Sequence, residues 1–215
     1  MTLATADPDH FTRQLLVWYA NNGRDFPWRQ TDDPYRILIC EVLLRRSRST
    51  TVAKVAGPFF ERWPSVAELA DADVGELVEV IRPLGLTSRA GQLVQLARAL
   101  HDRPDFPSSV AELVSLPGIG RYAAAATLGE PTVDGTSARV YRRYFGHLDA
   151  REHKTVDSAL WTLVTDLFGA HPDAHRINWG VLDIAATVCT PVRQDCESCP
   201  LLRECIWGQA SRHSA

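Results

Sequence analysis

Long apolar runs are missing from this 215-residue chain: Ile37–Cys40 and Val42–Leu44 are short and parted by Glu41. Crossing a bilayer takes roughly 20 apolar residues, so no membrane span or membrane partner is expected. The first residues, Met-Thr-Leu-Ala-Thr-Ala-Asp-Pro-Asp, lack a basic stretch followed by an apolar one. No secretory signal is read there, and a cytoplasmic protein is expected. Lysine is scarce, present only at Lys54 and Lys154, so arginine carries nearly all the positive charge. With Lys+Arg at 23 against Asp+Glu at 26, the formal charge is −3. That argues against a broad basic surface for nucleic acid and leaves room for contacts made by loop amides and a few arginines. Strand-like alternation of useful length is absent too, and no linker divides the chain. Disorder is excluded, because 45% hydrophobic residues can bury a core.

What is there reads as helix nearly throughout. Phe11–Ala20 is apolar-periodic and runs into Asn21-Asn22-Gly23, a helix end. Pro34 opens a helix to about Arg46, and Ser49–Trp63 forms the next. Ser65-Val66-Ala67-Glu68 and Ser109-Val110-Ala111-Glu112 are two capping boxes, each followed by Leu and then by a glycine-containing turn. Thr87–His101 places Leu93, Leu96, Ala97 and Leu100 on one face. Further helices are expected at Thr136–Phe145, Thr155–Phe168 and Ile177–Val188, so the fold class is all-α.

Four features carry chemistry. Cys189-x6-Cys196-x2-Cys199-x5-Cys205 packs four thiols into seventeen residues, a donor set suited to zinc or to an iron–sulfur cluster; the spacing alone does not choose. Leu116-Pro117-Gly118-Ile119-Gly120-Arg121 has two glycines one residue apart just before a helix, so its exposed amides make a phosphate seat that needs no net positive charge. An ordinary interhelical turn would look the same. Asp134, in Val133-Asp134-Gly135-Thr136, precedes a helix, where a cap and a rigidly held catalytic carboxylate are compatible. Glu41 is the one polar residue among Ile37–Leu44, where apolar neighbours raise a carboxyl toward general-acid use unless it pairs with Arg45 one turn on.

These features, in this order, resemble the helix-hairpin-helix (HhH-GPD) superfamily of DNA glycosylases with an iron–sulfur cluster, from Asp25-Phe26-Pro27-Trp28-Arg29 to the last cysteine. The resemblance implies a [4Fe–4S] cluster on Cys189, Cys196, Cys199 and Cys205. It implies a six-helix barrel domain at residues 30–140 holding the hairpin, and a cluster domain from 1–29 plus 141–215, with duplex DNA in the groove between them. It also implies a hairpin of Leu116, Gly118, Ile119, Gly120 and Arg121 gripping a DNA phosphate beside an alkali cation, and a monomer working in base excision repair.

Within that superfamily, endonuclease III-like enzymes carry a lysine nucleophile where this chain has Tyr122, and a phenol cannot form the Schiff base needed for strand cleavage. Mismatch-specific thymine–DNA glycosylases have tyrosine there and a segment similar to Glu41-Val42-Leu43-Leu44-Arg45-Arg46, where adenine enzymes have glutamines. The resemblance therefore implies a monofunctional glycosylase removing thymine or uracil opposite guanine. Asp134 would stabilise the cationic sugar, Glu41 would protonate the base or organise water, and Tyr122 would line the pocket. Leu44 would wedge the stack, with Arg45 and Arg46 near the vacated gap. Asp134-Gly135 resembles the adenine branch instead, and Thr136 replaces the Asn of both. Adenine removal is thus the alternative, although adenine enzymes carry a further domain where this chain ends ten residues after Cys205. A silent mismatch-binding module is a third reading, disfavoured because a pure binder needs neither Glu41 nor Asp134.

Overall fold

The computed structural model describes residues 6–85, 87–146 and 158–212. Among them the fold is helical, with no strand and only an isolated antiparallel bridge pairing Cys189 with Gln194. No described helix is long and apolar enough to cross a membrane. In chain order the helices are α1 Pro8–Asn22, α2 Pro34–Leu44, α3 Ser49–Arg62, α4 Val66–Ala70, α5 Val74–Ile81 and α6 Arg89–His101. They continue with α7 Val110–Val114, α8 Arg121–Thr127, α9 Ser137–Phe145, α10 Ser158–Phe168, α11 Ala174–Thr187 and α12 Ile206–Arg212. Residues 155–157, the start of the helix expected at Thr155–Phe168, lie outside the described residues.

The chain forms two compact units, one continuous (Asp25–Gly129) and one split (Met1–Arg24 with Glu130–Ala215). In the continuous unit α2 packs on α3 and α8, α6 on α4 and α5, and α7 on α8. Leu38, Ile39, Leu43, Val52, Phe59, Leu69, Leu77, Ile81, Leu93 and Leu113 are wholly buried in its core. Its helices start where short polar side chains meet bare amides. Asp33 accepts from Tyr35 N at 3.0 Å ahead of Pro34, whose missing N–H costs nothing in the first turn. The Ser109 box closes in full: Glu112 N donates to Ser109 Oγ at 3.3 Å, and Ser109 N to Glu112 Oε2 at 3.0 Å. Ser65 caps α4 through Ala67 N at 3.2 Å.

In the split unit α1 packs on α11, and α9 on α11 and α12. Phe11, fully buried, centres an aromatic cluster with Tyr141, Tyr144, Phe145 and Phe168, their ring centroids 4.8–5.9 Å away. Gly23 ends α1, as expected, but with φ −59° rather than a left-handed cap. A Cβ there would stand 2.6 Å from the Tyr19 ring, so glycine is required by close approach. Just beyond, Arg24 donates from its backbone N and its Nε to the wholly buried Asp183 on α11, both at 2.7 Å. That pairing neutralises a carboxylate that would be costly in the core alone.

Candidate active site and cysteine cluster

In the continuous unit, α7 and α8 flank the hairpin. Leu116 and Ile119 are buried in the core, which fixes the loop by its apolar side chains and leaves Gly118 and Gly120 exposed. Gly118 sits at φ +75°, open to glycine and costly for other residues, and no atom lies within 4 Å of where its Cβ would be. The hairpin therefore presents bare backbone to any partner.

At the C-terminal end of α2, Leu44 is half-buried and packs against the same core. Ser47 N donates to Leu44 O at 3.0 Å, closing a turn with Arg45 at φ −57°, ψ 115° and Arg46 at φ +57°. Those angles make a type II turn, and its third position, normally glycine, holds an arginine. Arg45 and Arg46 are exposed, and Arg45 Nη1 donates to the Gly118 carbonyl at 2.9 Å, joining this turn to the hairpin. Glu41, half-buried on α2, lies between buried Cys40 and Val42. Burial, and then the Glu41 charge, push the Cys40 thiol up to about 12. Tyr122, also half-buried, occupies the first turn of α8, against which α2 packs.

In the split unit, residues 131–133 are buried and lead to Asp134. Asn178 on α11 clamps this segment from both sides, accepting from Thr132 N at 3.0 Å and donating to Glu130 O at 2.8 Å. Asp134 then caps the turn that opens α9. Its Oδ1 accepts from Thr136 N at 2.9 Å and Ser137 N at 2.6 Å, and its own N–H donates to Ser137 Oγ at 2.9 Å. Among the described residues no donor reaches Oδ2, and the side chain is half-exposed, so one face of an immobilised carboxylate is free. Burial, and then the Asp134 charge, push the Tyr141 phenol far above its ordinary range, so it stays protonated.

None of the five cysteines is in a disulfide, and the last four come together. Cys199 feels the charges of Cys205, Cys189 and Cys196, while burial pushes its thiol up to about 12 and that of Cys205 up to about 11. Successive tight turns, Cys199 N to Cys196 O at 3.2 Å and Cys205 N to Leu202 O at 3.3 Å, fold the loop back on itself. Arginines on α9 brace it. Arg139 Nε donates to Cys189 O and its Nη2 to Ala185 O, both at 2.9 Å. Arg143 Nη1 donates to Cys189 Sγ at 3.1 Å, and its guanidinium lies 4.5 Å from the Trp207 ring centroid.

No three described His, Cys, Asp or Glu side chains are close enough to share a single metal ion. A mononuclear thiolate site, with metal–sulfur bonds of about 2.3 Å, holds its sulfurs about 3.8 Å apart. A multi-iron cluster is a larger body and takes a wider ring of thiols. Four half-buried sulfurs near one another, with donors aimed at Cys189 and Cys205 (Gly208 N, 3.4 Å from Cys205 Sγ), have the donor chemistry that the larger group takes. At the hairpin the fit to an alkali cation is poorer, because the Gly118 oxygen already faces the Arg45 guanidinium.

Sequence reasoning missed Asn178, Arg139 and Arg143. Only the buried, four-residue spacing of the two arginines ahead of the cysteines offered a signal.

Comparison with known proteins gives the family. The pattern of the HhH-GPD superfamily base excision DNA repair proteins matches residues 39–166. A thymine-DNA glycosylase of Aeropyrum pernix is 35% identical over 206 residues, spanning 91% of this chain and 92% of that protein. A thymine/uracil-DNA glycosylase of Pyrobaculum aerophilum is 36% identical over 215 residues, 94% of each. The solved structure of a thermostable thymine-DNA glycosylase superposes with a TM-score of 0.86 at 31% identity, covering 94% of this chain and 97% of that one. The chain therefore belongs to the HhH-GPD superfamily of base excision DNA repair proteins, as a DNA glycosylase.

Proposed function

We propose that this enzyme is a monofunctional glycosylase that hydrolyses the N-glycosidic bond of thymine or uracil opposite guanine in duplex DNA, acting as a monomer. The observation that carries this reading is Tyr122 in the first turn of α8, at the place where a lysine would be needed for strand cleavage. The names of the Aeropyrum and Pyrobaculum relatives, similar along more than nine-tenths of their length, support the substrate.

The chemistry follows from the residues in hand. A mispaired pyrimidine is cheap to flip out of the stack. As its bond to the sugar breaks, positive charge grows at the sugar, and the free face of the Asp134 carboxylate stabilises that charge without any reorganisation. Water adds to the sugar carbon, and the base departs with the bonding pair, protonated by Glu41 or by water that Glu41 orients. Tyr122 lines the base pocket, and Leu44, Arg45 and Arg46 approach the vacated gap. Leu116, Gly118, Ile119, Gly120 and Arg121 seat a phosphate through backbone amides and one guanidinium.

Cys189, Cys196, Cys199 and Cys205 would hold a [4Fe–4S] cluster, which when bound cross-links the loop after α11 to α12.

The test is excision on end-labelled duplexes carrying T:G, U:G, A:G, A opposite 8-oxoguanine or thymine glycol, each with and without alkali. Cleavage of T:G and U:G only after alkali is the expected result. Cleavage at adenine would move the enzyme to the branch that Gly135 resembles. Binding without excision of any of these would leave the mismatch-binding module.

A further inference from the structure

The Leu44–Ser47 turn holds an arginine where a type II turn wants glycine. A non-glycine residue at φ +57° persists only when its surroundings over-determine it. The surroundings are two other arginines. Arg89, at the start of α6, is buried to 7% exposure, and its Nη1 donates to Leu43 O at 2.8 Å and to Ser47 Oγ at 3.1 Å, spanning the turn from below. Arg45 ties the turn's outer edge to the hairpin at Gly118 O.

We propose that Arg89 is a positioning residue for substrate recognition: its buried guanidinium locks the type II turn so that the Arg46 side chain is delivered to the DNA.

Three features support the assignment beyond the bonds themselves. Arg89 has no carboxylate partner among the described residues, so its burial is not explained by an ion pair. Burial, and then the like charges of Arg45 and Arg46, hold its pKa below the ordinary arginine value, a cost that a purely structural site would avoid. Arg46 has no hydrogen bond or ion pair among the described residues, so it is the arginine of the pair left to meet a ligand. Among the described residues the charges that act on Arg89 are those of Arg45 and Arg46, and three neighbouring cations are complementary to a nucleic-acid phosphate or to the acceptor edge of guanine.

This inference rests on the proposed function for its readout of base discrimination but not for its readout of turn rigidity, and the test uses both. The probes are duplexes carrying a tetrahydrofuran abasic analogue opposite guanine or adenine, bound by the whole chain, together with hydrogen–deuterium exchange over residues 44–48. Arg89→Met and the milder Ser47→Ala and Arg89→Lys should speed exchange at Arg46 and Ser47. They should also reduce the guanine-over-adenine binding preference, roughly tenfold for Arg89→Met, while melting stays cooperative. Adding Arg46→Gly to Arg89→Met should restore protection of the turn, because glycine accepts the left-handed position, without restoring the preference. A merely structural role would lower the active fraction for both duplexes alike and leave their ratio unmoved, which overturns the proposal. Unchanged exchange in all three single variants overturns it as well. If the wild type excises nothing from T:G and binds both duplexes equally, the substrate reading fails and the exchange measurement alone decides for or against Arg89.

Discussion

Replacing Asp134 with Asn removes one negative charge and little else. Asn Oδ1 can still accept from Thr136 N and Ser137 N, as Asp134 does at 2.9 and 2.6 Å, so the cap on α9 survives. Asn178 still clamps the approach through Thr132 N and Glu130 O. What disappears is the attraction between a carboxylate and the charge growing at the sugar. For unit charges about 4 Å apart at an effective dielectric of about 20, that is about 4 kcal/mol. In rate it is about three orders of magnitude. The assay is single-turnover excision from a T:G duplex, read after alkali, beside affinity for the same duplex and thermal melting. Excision should fall about a thousandfold, with affinity and Tm nearly unchanged. Asp134→Ala is the control that separates capping from charge, since it should also lose about 1 kcal/mol of stability. Excision by Asp134→Asn within tenfold of wild type would refute the carboxylate's assigned role.

Other perturbations follow from the same geometry. Tyr122→Lys puts an amine in the first turn of α8 and should yield a covalent complex trapped by borohydride; none at any pH would count against placing Tyr122 beside the sugar. Gly118→Ala meets no steric neighbour but must adopt φ +75°, so it should cost about 1 kcal/mol and lower Tm by a few degrees. It should also weaken binding to matched and mismatched duplexes equally, as expected for a phosphate contact. Asn178→Ala strands Thr132 N in a buried segment, costing about 1–3 kcal/mol, and should slow excision more than it weakens binding. Cys199→Ser should lose the visible absorbance of an iron–sulfur cluster. Loading of the apoprotein should improve as pH rises, because the Cys199 and Cys205 thiols, pushed up to about 12 and about 11, must release protons to bind iron.

Much of the scaffold was legible because its signals are local. Pro34, and Ser109 with Glu112, are start signals a few residues long, and the structure uses them as such. The turn before α9 announced itself the same way, and Asp134 does cap it. The groups that brace the site were not legible, since each acts across a long stretch of chain. Asn178 reaches back 46 residues to Thr132, and Arg89 reaches back 46 to Leu43. Arg139 and Arg143 hold Cys189 from 50 and 46 residues away. The strained turn was hidden for another reason: turn rules look for glycine or asparagine, and the chain has arginine there. Gly23 shows the converse, a glycine placed as expected and kept for the nearness of the Tyr19 ring.

The net charge of −3 and a DNA-binding function are reconciled by where the acids are not. Between Glu41 and Glu61 the chain carries Arg45, Arg46, Arg48 and Lys54 and no carboxylate, and between Glu112 and Glu130 it carries Arg121 and none. Those two acid-free stretches contain the type II turn and the hairpin, which Arg45 bonds together at Gly118. Screening over about 8–10 Å in physiological salt makes such a local field matter more than the total. A phosphate at the hairpin would meet amides and guanidiniums, and acids elsewhere in the sequence limit loose association with DNA through the rest of the surface. On this distribution, recognition depends on placing a few arginines rigidly instead of accumulating many. That is why one of them is held in a backbone conformation it would not otherwise adopt, and why another is buried beneath it.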